Sequence, residues 1–309
     1  MFNSIIKLCR LNYWPKNIFL LPGVFFFVFL SNVENFYTIK NLTVLLLAIL
    51  STCLICSSNY VINELTDQKT DFYHPDKKKR PLVSQKLSIS TSVIVFFFLS
   101  FFGYLLGINI NINFFYTLVV LQLMGFVYNV KPLRFKDHAY LDVITESFNN
   151  LLRFALGWNI FNENYYPPLS LLIIFWTGGA FLMALKRLGE FRYLKKDLSK
   201  YRKSFKNYTE SSLLLSSLFY ALNCCLFIGV AIIKIKIEFI LCTPFVSALF
   251  VYYLKLSLVK NSPVQHPELI FKDKKLFILV LSNVLVFLYA LNTEIDYFKI
   301  FNLDLLNFS

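Results

Sequence analysis

Residues 63–81 read NELTDQKTDFYHPDKKKRP, a dense mixture of both charges in a chain otherwise dominated by Phe, Leu, Ile and Val. Asn63, Asp67 and Asp71 recur every four residues. On an α-helix each step of four drifts by only about 40° and rises about 6 Å, so the three line one face. Two carboxylates at that spacing repel, and the arrangement costs stability unless a cation sits between them. A divalent metal with oxygen ligands suits such a place. Mg2+ takes one or two carboxylates and completes its shell with water and substrate phosphates. Asp67 and Asp71 are therefore the candidate catalytic carboxylates, and with Asn63 the candidate Mg2+ ligands. The helix should stop near Tyr73, because Pro75 disfavours helix in the residue before it. Lys77, Lys78, Lys79 and Arg80 then follow, placed to receive anionic oxygens. The plainer alternative is a solvated loop of mixed charge.

The elements that must position this segment are membrane helices. Of 309 residues 57% are hydrophobic, 18% aromatic and only 16% charged, with a mean hydropathy of +0.57; a soluble domain carries about a quarter charged residues. Runs of about 20 apolar residues, enough to cross a bilayer core, recur throughout. The expected fold is all-α, a polytopic bundle of about nine transmembrane helices. Their centres lie within 17–32, 41–62, 88–108, 111–128, 140–161, 168–186, 211–233, 237–257 and 275–293. The first apolar run, NIFLLPGVFFFVFLS, lacks a small-residue cleavage site and is expected to be the first membrane helix.

All but five of the 31 lysines and arginines fall in the N-terminal segment or in alternate loops, the exceptions being Lys40, Arg153, Lys234, Lys236 and Lys299. Positive charge stays on the cytoplasmic side. This predicts an integral protein of the bacterial inner-membrane type, N-terminus and active-site loops cytoplasmic, C-terminus outside. Topogenesis accounts for bases, not for acids, and the 63–88 loop alone mixes many of both.

Other polar groups are fewer. Asp142, Glu146, Asn149 and Arg153 share a face of the fifth span; ionisable groups at membrane depth face a cavity or one another. Arg153 is therefore either part of a structural network with Asn149 or Glu146, or a substrate contact. Lys186, Arg187 and Glu190 end the sixth span, where helix pairing or anchoring competes with phosphate binding. Cys53 and Cys56 form a CxxC inside an apolar run, read as buried thiols rather than a metal or redox site. His74, His138 and His266 lack metal-ligand spacing and receive no catalytic role. The basic, aromatic stretch 190–210 suits a membrane surface, and nucleic acid is not an expected partner.

The same residues carry a family resemblance. N-x-x-x-D-x-x-x-D followed by H-P-x-K-x-x-R-P resembles the first aspartate-rich motif of the UbiA superfamily of intramembrane prenyltransferases. The continuation is most similar to its decaprenyl-phosphate phosphoribosyltransferase branch. RLNYWPKN (10–17), YNVKPLRFKD (128–137), KRLGEF (186–191) and PELIFKD (267–273) resemble further family segments, in order along the chain. The resemblance implies a single domain over 1–309, nine helices around a central cavity, and a Mg2+-held diphosphate. By the same motifs it implies substrate contacts from Lys16, Asn17, Lys77, Arg80, Tyr128, Lys131, Arg134, Lys186, Arg187 and Glu190; Arg153 joins the expected substrate contacts through its place on the polar face of the fifth span, which begins near the cytoplasmic end. Three departures stand out. Glu64 replaces the usual Asp, Gln85 replaces a common Gly, and the second aspartate-rich motif is missing, with only Glu190, Asp197 and Glu210 in its region.

A basic second half suits substrates with extra phosphate charge. The favoured expectation is phosphoribosyl transfer from phosphoribosyl diphosphate, a phosphorylated small-molecule co-substrate, to a polyprenyl phosphate, an isoprenoid lipid. Two alternatives stay open: prenyl transfer from an allylic diphosphate to an aromatic or other acceptor, and a non-catalytic lipid-binding or transport protein.

Overall fold

Five of the described helices begin at a side chain that caps them. Thr38 accepts from the Asn41 amide at 3.1 Å, Ser88 from Thr91 at 3.1 Å and Asn111 from Phe114 at 2.8 Å. Thr209 and Ser212 form a reciprocal capping box, and Asp273 caps Leu276 at 2.9 Å. Each cap satisfies an amide that would otherwise be orphaned at a helix start. The computed structural model describes residues 2–31, 36, 38–73, 77–162, 164–194, 202–259 and 273–295. His74, Pro75, Asp197, His266 and all of the 267–273 segment except Asp273 lie outside the described residues.

Among the described residues there is no strand. Eight segments of the described residues are long and apolar enough to cross a membrane: Phe2–Leu30, Ile39–Asp71, Ile89–Ile110, Ile112–Asn129, Leu169–Arg192, Glu210–Ile235, Ile237–Leu258 and Lys274–Asn292. The ninth expected helix, Leu141–Asn159, is present and is the polar one. The first segment is not one rod. A helix Phe2–Cys9 precedes the expected span, the chain breaks at Arg10 (φ 50°, ψ 51°), and Leu11–Leu20 is 3₁₀ before Leu21–Leu30 resumes as α. Pro15 lies in the 3₁₀ stretch, where it has no amide to donate to a regular helix.

The chain divides into two compact units, one from Met1–Pro167 with Lys196–Tyr208, the other from Pro168–Lys195 with Thr209–Ser309. In the first, Ile39–Asp71 is the central element and packs on Ile89–Ile110 and Ile112–Asn129. Its 33 residues make about 50 Å of helix, against a hydrocarbon core of about 30 Å. The surplus turns carry Asn63, Asp67 and Asp71. Leu21–Leu30 packs on Leu141–Asn159 with almost no gap: a Cβ at Gly23 would stand 2.0 Å from the Phe154 carbonyl oxygen, and one at Gly157 1.8 Å from that of Leu20. Small residues permit such backbone approach where lipid offers no hydrophobic gain from helix association. Polar side chains add cross-helix bonds, as where Gln122 donates to Ser58 at 3.1 Å and Ser100 at 2.7 Å.

In the second unit Leu169–Leu194 packs on Glu210–Ile235 and Thr243–Leu258, with Phe181 stacked on Phe250 at 4.7 Å. The 3₁₀ segment Ile237–Cys242 packs on Lys274–Asn292 through stacked Phe239 and Phe287 at 4.9 Å.

The Gly157 contact is with backbone and cannot be relieved by a rotamer. Gly157→Val is expected to cost at least the roughly 2 kcal/mol typical of overpacking. The check is the melting temperature of the purified protein in detergent, against Gly229→Ala as control, where an added Cβ meets nothing within 4 Å.

Candidate functional site

The terminal turns of Ile39–Asp71 present their acids to two loops of the same unit. Asp67 Oδ1 receives Arg134 Nη2 at 2.8 Å and Lys136 Nζ at 2.6 Å. Asp71 pairs with Arg80 Nη1. The side chains are 13% and 3% exposed, and this burial sets the energetics. Repulsion between exposed carboxylates at this spacing is only a few tenths of a kcal/mol. Stripping a partner from a buried pair costs about 3–5 kcal/mol. The cations are therefore obligatory parts of the face.

The turn after Ile112–Asn129 delivers two of them. It contains a cis Lys131–Pro132 bond, and Arg134 sits in the left-handed region at φ 35°. The Arg134 guanidinium is tied down on several sides: Nη1 donates to the Asn129 carbonyl at 2.9 Å and to that of Thr66 at 3.4 Å, and Nε to Asp137 at 3.1 Å. Asn129 is the junction. Its Oδ1 accepts from Asn63 Nδ2 at 2.7 Å and from Lys136 Nζ at 2.8 Å, while its own amide donates to the Gly125 carbonyl at 2.8 Å. Burial pushes the Lys136 ammonium down to about 8, against the opposing pull of the Asp67 carboxylate.

The 77–87 loop is pinned from beneath by Glu64. This side chain is fully buried, and its Oε1 accepts the Leu82 amide at 2.8 Å. At the position where the resemblance places an Asp, the longer acid here reaches inward to hold a loop. Gln85 adopts φ 56°, a conformation that favours glycine, which gives a physical reason for the Gly that the resemblance leads one to expect there.

The remaining candidates are dispersed. Lys77 contributes to the field at both aspartates. Lys131 is exposed on the turn. Lys16 Nζ lies 4.1 Å from the Tyr13 ring centroid. Asn17 and Arg153 belong to a network deeper in the span: Arg153 Nε donates to Asn17 Oδ1 at 3.1 Å, Nη1 to the Asn149 carbonyl at 3.4 Å, and Asn17 Nδ2 to Cys53 Sγ at 3.2 Å. Of the two readings open for Arg153, these contacts favour the structural one. Cys53 and Cys56 are free thiols in the same network. Tyr128 Oη donates to Glu146 at 2.7 Å and accepts from Arg202 at 3.1 Å. Asp142, fully buried, takes Tyr208 Oη at 2.6 Å, Ser204 Oγ at 3.2 Å and Arg202 at 3.4 Å. Lys186, Arg187 and Glu190 belong to the second unit, where buried Arg187 pairs with Glu190 at 2.9 Å. Glu210 pairs with Arg192.

Sequence reasoning left out Arg10, Asn129, Lys136 and Arg202. Lys136 ends the Y-x-x-x-P-x-R-x-K segment and could have been found there. Arg10 opens RLNYWPKN and could have been found in the same way. Asn129 and Arg202 are defined by long-range partners that carry no local signal.

The site fits Mg2+ of the kind that borrows ligands from a substrate. Among the described residues no group of three His, Cys, Asp or Glu side chains could cage a metal alone. Asp67 and Asp71 supply two carboxylates beside Arg80, whose other guanidinium donors have no acceptor among the described residues.

The model of the UbiA prenyltransferase family matches residues 20–290. The chain belongs to the UbiA prenyltransferase family. This UbiA-family chain is 29% identical over 219 residues to decaprenyl-phosphate phosphoribosyltransferase of Mycolicibacterium smegmatis, 69% of this chain and 65% of the relative. It is 28% identical to nodulation protein NoeC of Azorhizobium caulinodans, over 63% of this chain and 60% of that one. A 4-hydroxybenzoate octaprenyltransferase of Legionella pneumophila is 32% identical over 41% of this chain and 44% of its own length. The alignments thus span less than two thirds of each relative. A UbiA homologue from Archaeoglobus fulgidus, solved with GPP and Mg2+, shares the fold with a TM-score of 0.70 at 18% identity, covering 94% of this chain and all of the other.

Two substitutions test this arrangement. Asn129→Leu removes the shared acceptor of Asn63 and Lys136 and should destabilise by about 1–3 kcal/mol, the cost of buried donors left unsatisfied, read as a lower melting temperature. Gln85→Gly relieves the left-handed backbone and should stabilise by up to about 1 kcal/mol, raising the melting temperature instead.

Proposed function

We propose that this UbiA-family protein is a Mg2+-dependent membrane transferase that displaces diphosphate, moving a phosphoribosyl group from phosphoribosyl diphosphate to a polyprenyl phosphate. The observation that carries this reading is the character of the carboxylate face: the groups bonded to Asp67 and Asp71 are all cationic, Arg134, Lys136 and Arg80. An allylic cation would be served by an apolar or aromatic surround; a ribose bearing a 5-phosphate beside its diphosphate is served by a polar, positive one. The 29% identity to a decaprenyl-phosphate phosphoribosyltransferase supports the same choice, as does the ion pairing of Glu190 and Glu210 where a second acidic motif would lie.

In this reading Asp67 and Asp71 hold Mg2+, with Asn63 beside them on the same face. When bound, the ion neutralises charge building on the departing diphosphate. An oxygen of the polyprenyl phosphate attacks C1 of the ribose as the bond from C1 to the diphosphate oxygen breaks, and the bonding pair leaves with diphosphate. The acceptor is ionised at neutral pH, so no side chain has to remove a proton. Arg80, with donors to spare, stabilises the leaving oxygens, the largest lever available in a water-poor site. Arg134 orients Asp67. Lys16, Lys77 and Lys131 in the first unit stay assigned to substrate binding on the resemblance, as separately do Lys186, Arg187 and Glu190 in the second. Asn17, Tyr128 and Arg153 contribute through the networks described above, by positioning their helices. The whole chain works as one transferase domain with its N-terminus and basic loops cytoplasmic, as the distribution of lysine and arginine supports.

Prenyl transfer is the second reading, favoured by the Tyr13–Tyr60 pair, whose rings lie 5.7 Å apart one turn before Asn63, and by the octaprenyltransferase relative. Diphosphate release from purified protein in nanodiscs separates the two. Phosphoribosyl diphosphate with a polyprenyl phosphate should release diphosphate, EDTA should abolish release, and Asp67→Ala or Asp71→Ala should lower it at least 100-fold. Release only with an allylic diphosphate and an aromatic acceptor would replace phosphoribosyl transfer with prenylation.

A further inference from the structure

Arg10 stands at the break between Phe2–Cys9 and the 3₁₀ stretch, and its own backbone makes the break. At φ 50° and ψ 51° it holds a left-handed conformation that a residue with a Cβ adopts at a cost. Among the described residues only four non-glycine positions have positive φ: Arg10, Gln85, Arg134 and Tyr140. Two of these, Arg10 and Arg134, reach the Asn63–Asp67 face. Strain retained at such positions gathers where side chains must be aimed.

What the strain aims is a guanidinium with too little to do. Its plane lies over the Tyr60 ring, 4.9 Å from the centroid. Its one side-chain acceptor among the described residues is Asn63 Oδ1, at a long 3.4 Å. A guanidinium has five N–H donors, and Arg10 is half-buried. No ion pair joins it to Glu64 or Asp71 among the described residues, although the charge of Glu64 acts on it. Compare Arg134, whose donors are taken up by Asp67, Asp137 and two carbonyls. Burying a charge with most donors unused is costly unless a partner arrives. Asn63 fixes the direction: its Oδ1 faces Arg10, and its amide donates to Asn129, which also accepts from Lys136 on Asp67. The chain Arg10–Asn63–Asn129–Lys136–Asp67 thus ties Arg10 to the carboxylate face, where it also lies within the field of Arg80 and Asp71.

We propose that Arg10 is a substrate-binding residue, its guanidinium donating to a phosphate oxygen of a ligand seated along the Asn63, Asp67 and Asp71 face. Tyr60 and Asn63 hold it as an open fork. The inference rests on the assignment of that face to a phosphate-bearing substrate. The oxygen belongs either to the lipid phosphate or to the soluble donor, and the same chemistry recognises both.

The test is equilibrium binding to full-length protein in nanodiscs with Mg2+, probed separately with phosphoribosyl diphosphate, a polyprenyl phosphate and an allylic diphosphate. Arg10→Gly removes the fork and relieves the backbone, so binding and stability should part: the melting temperature holds or rises while at least one ligand binds tenfold or more weakly. Arg10→Lys keeps the charge but loses the fork and should bind that ligand several-fold more weakly. The ligand affected identifies the source of the oxygen. An effect confined to the allylic diphosphate would keep Arg10 as a phosphate contact and overturn phosphoribosyl transfer. A role as a membrane anchor predicts unchanged binding in Arg10→Lys, and a structural strut predicts a lower melting temperature in Arg10→Gly. Unchanged binding of all three ligands in Arg10→Gly would overturn the proposal.

Discussion

Two acids one turn apart on a largely buried helix face stand only if cations hold them. The first unit of this protein is arranged around that requirement. Asp67 and Asp71 ride on the surplus length of a 33-residue helix, and two loops fold back to bring them Arg134, Lys136 and Arg80. The turn through Pro132 places Arg134 in an uncommon backbone conformation to do so. Glu64, seven residues before Asp71 and therefore on nearly the same side of the helix, anchors the loop that carries Arg80 through the Leu82 amide. Loop conformation follows from charge neutralisation.

The same economy explains where the polar residues of the spans went. Asn17, Arg153, Cys53 and Cys56 consume one another's hydrogen-bonding capacity inside the apolar part of the first unit. Asp142 takes three donors from the 202–208 segment. Such groups fix which helices touch which and leave little over for a ligand. Arg80 and Arg10 differ in having guanidinium donors with no acceptor among the described residues, and that difference separates a binding group from a structural one better than charge or depth does.

Much of this was legible in the sequence. Bilayer thickness forces long apolar runs, so the helices could be located, including the polar Leu141–Asn159, although Ile39–Asp71 and Leu169–Leu194 run well past the apolar stretches that announce them. The Asn63–Asp67–Asp71 face followed from spacing alone, because Ile39–Asp71 is unbroken. The break at Arg10 was not legible, since φ at one residue leaves little trace in composition. Nor was Asn129, whose importance lies in partners 66 residues before it and seven after it. The inward turn of Glu64 depends on a loop amide 18 residues on, so a one-letter departure from a motif gives no sign that the side chain is a strut.

In the proposed function, metal and phosphate meet on the cation-collared face of Ile39–Asp71. An experimental structure of the protein with Mn2+ in place of Mg2+ and phosphoribosyl diphosphate tests it most directly, through the anomalous signal of the metal. The account predicts a Mn2+ peak at the Asp67 and Asp71 carboxylates, with the phosphates of the ligand contacted by Arg80. A metal peak elsewhere, with Asp67 and Asp71 still paired only to their arginines and lysine, would contradict it.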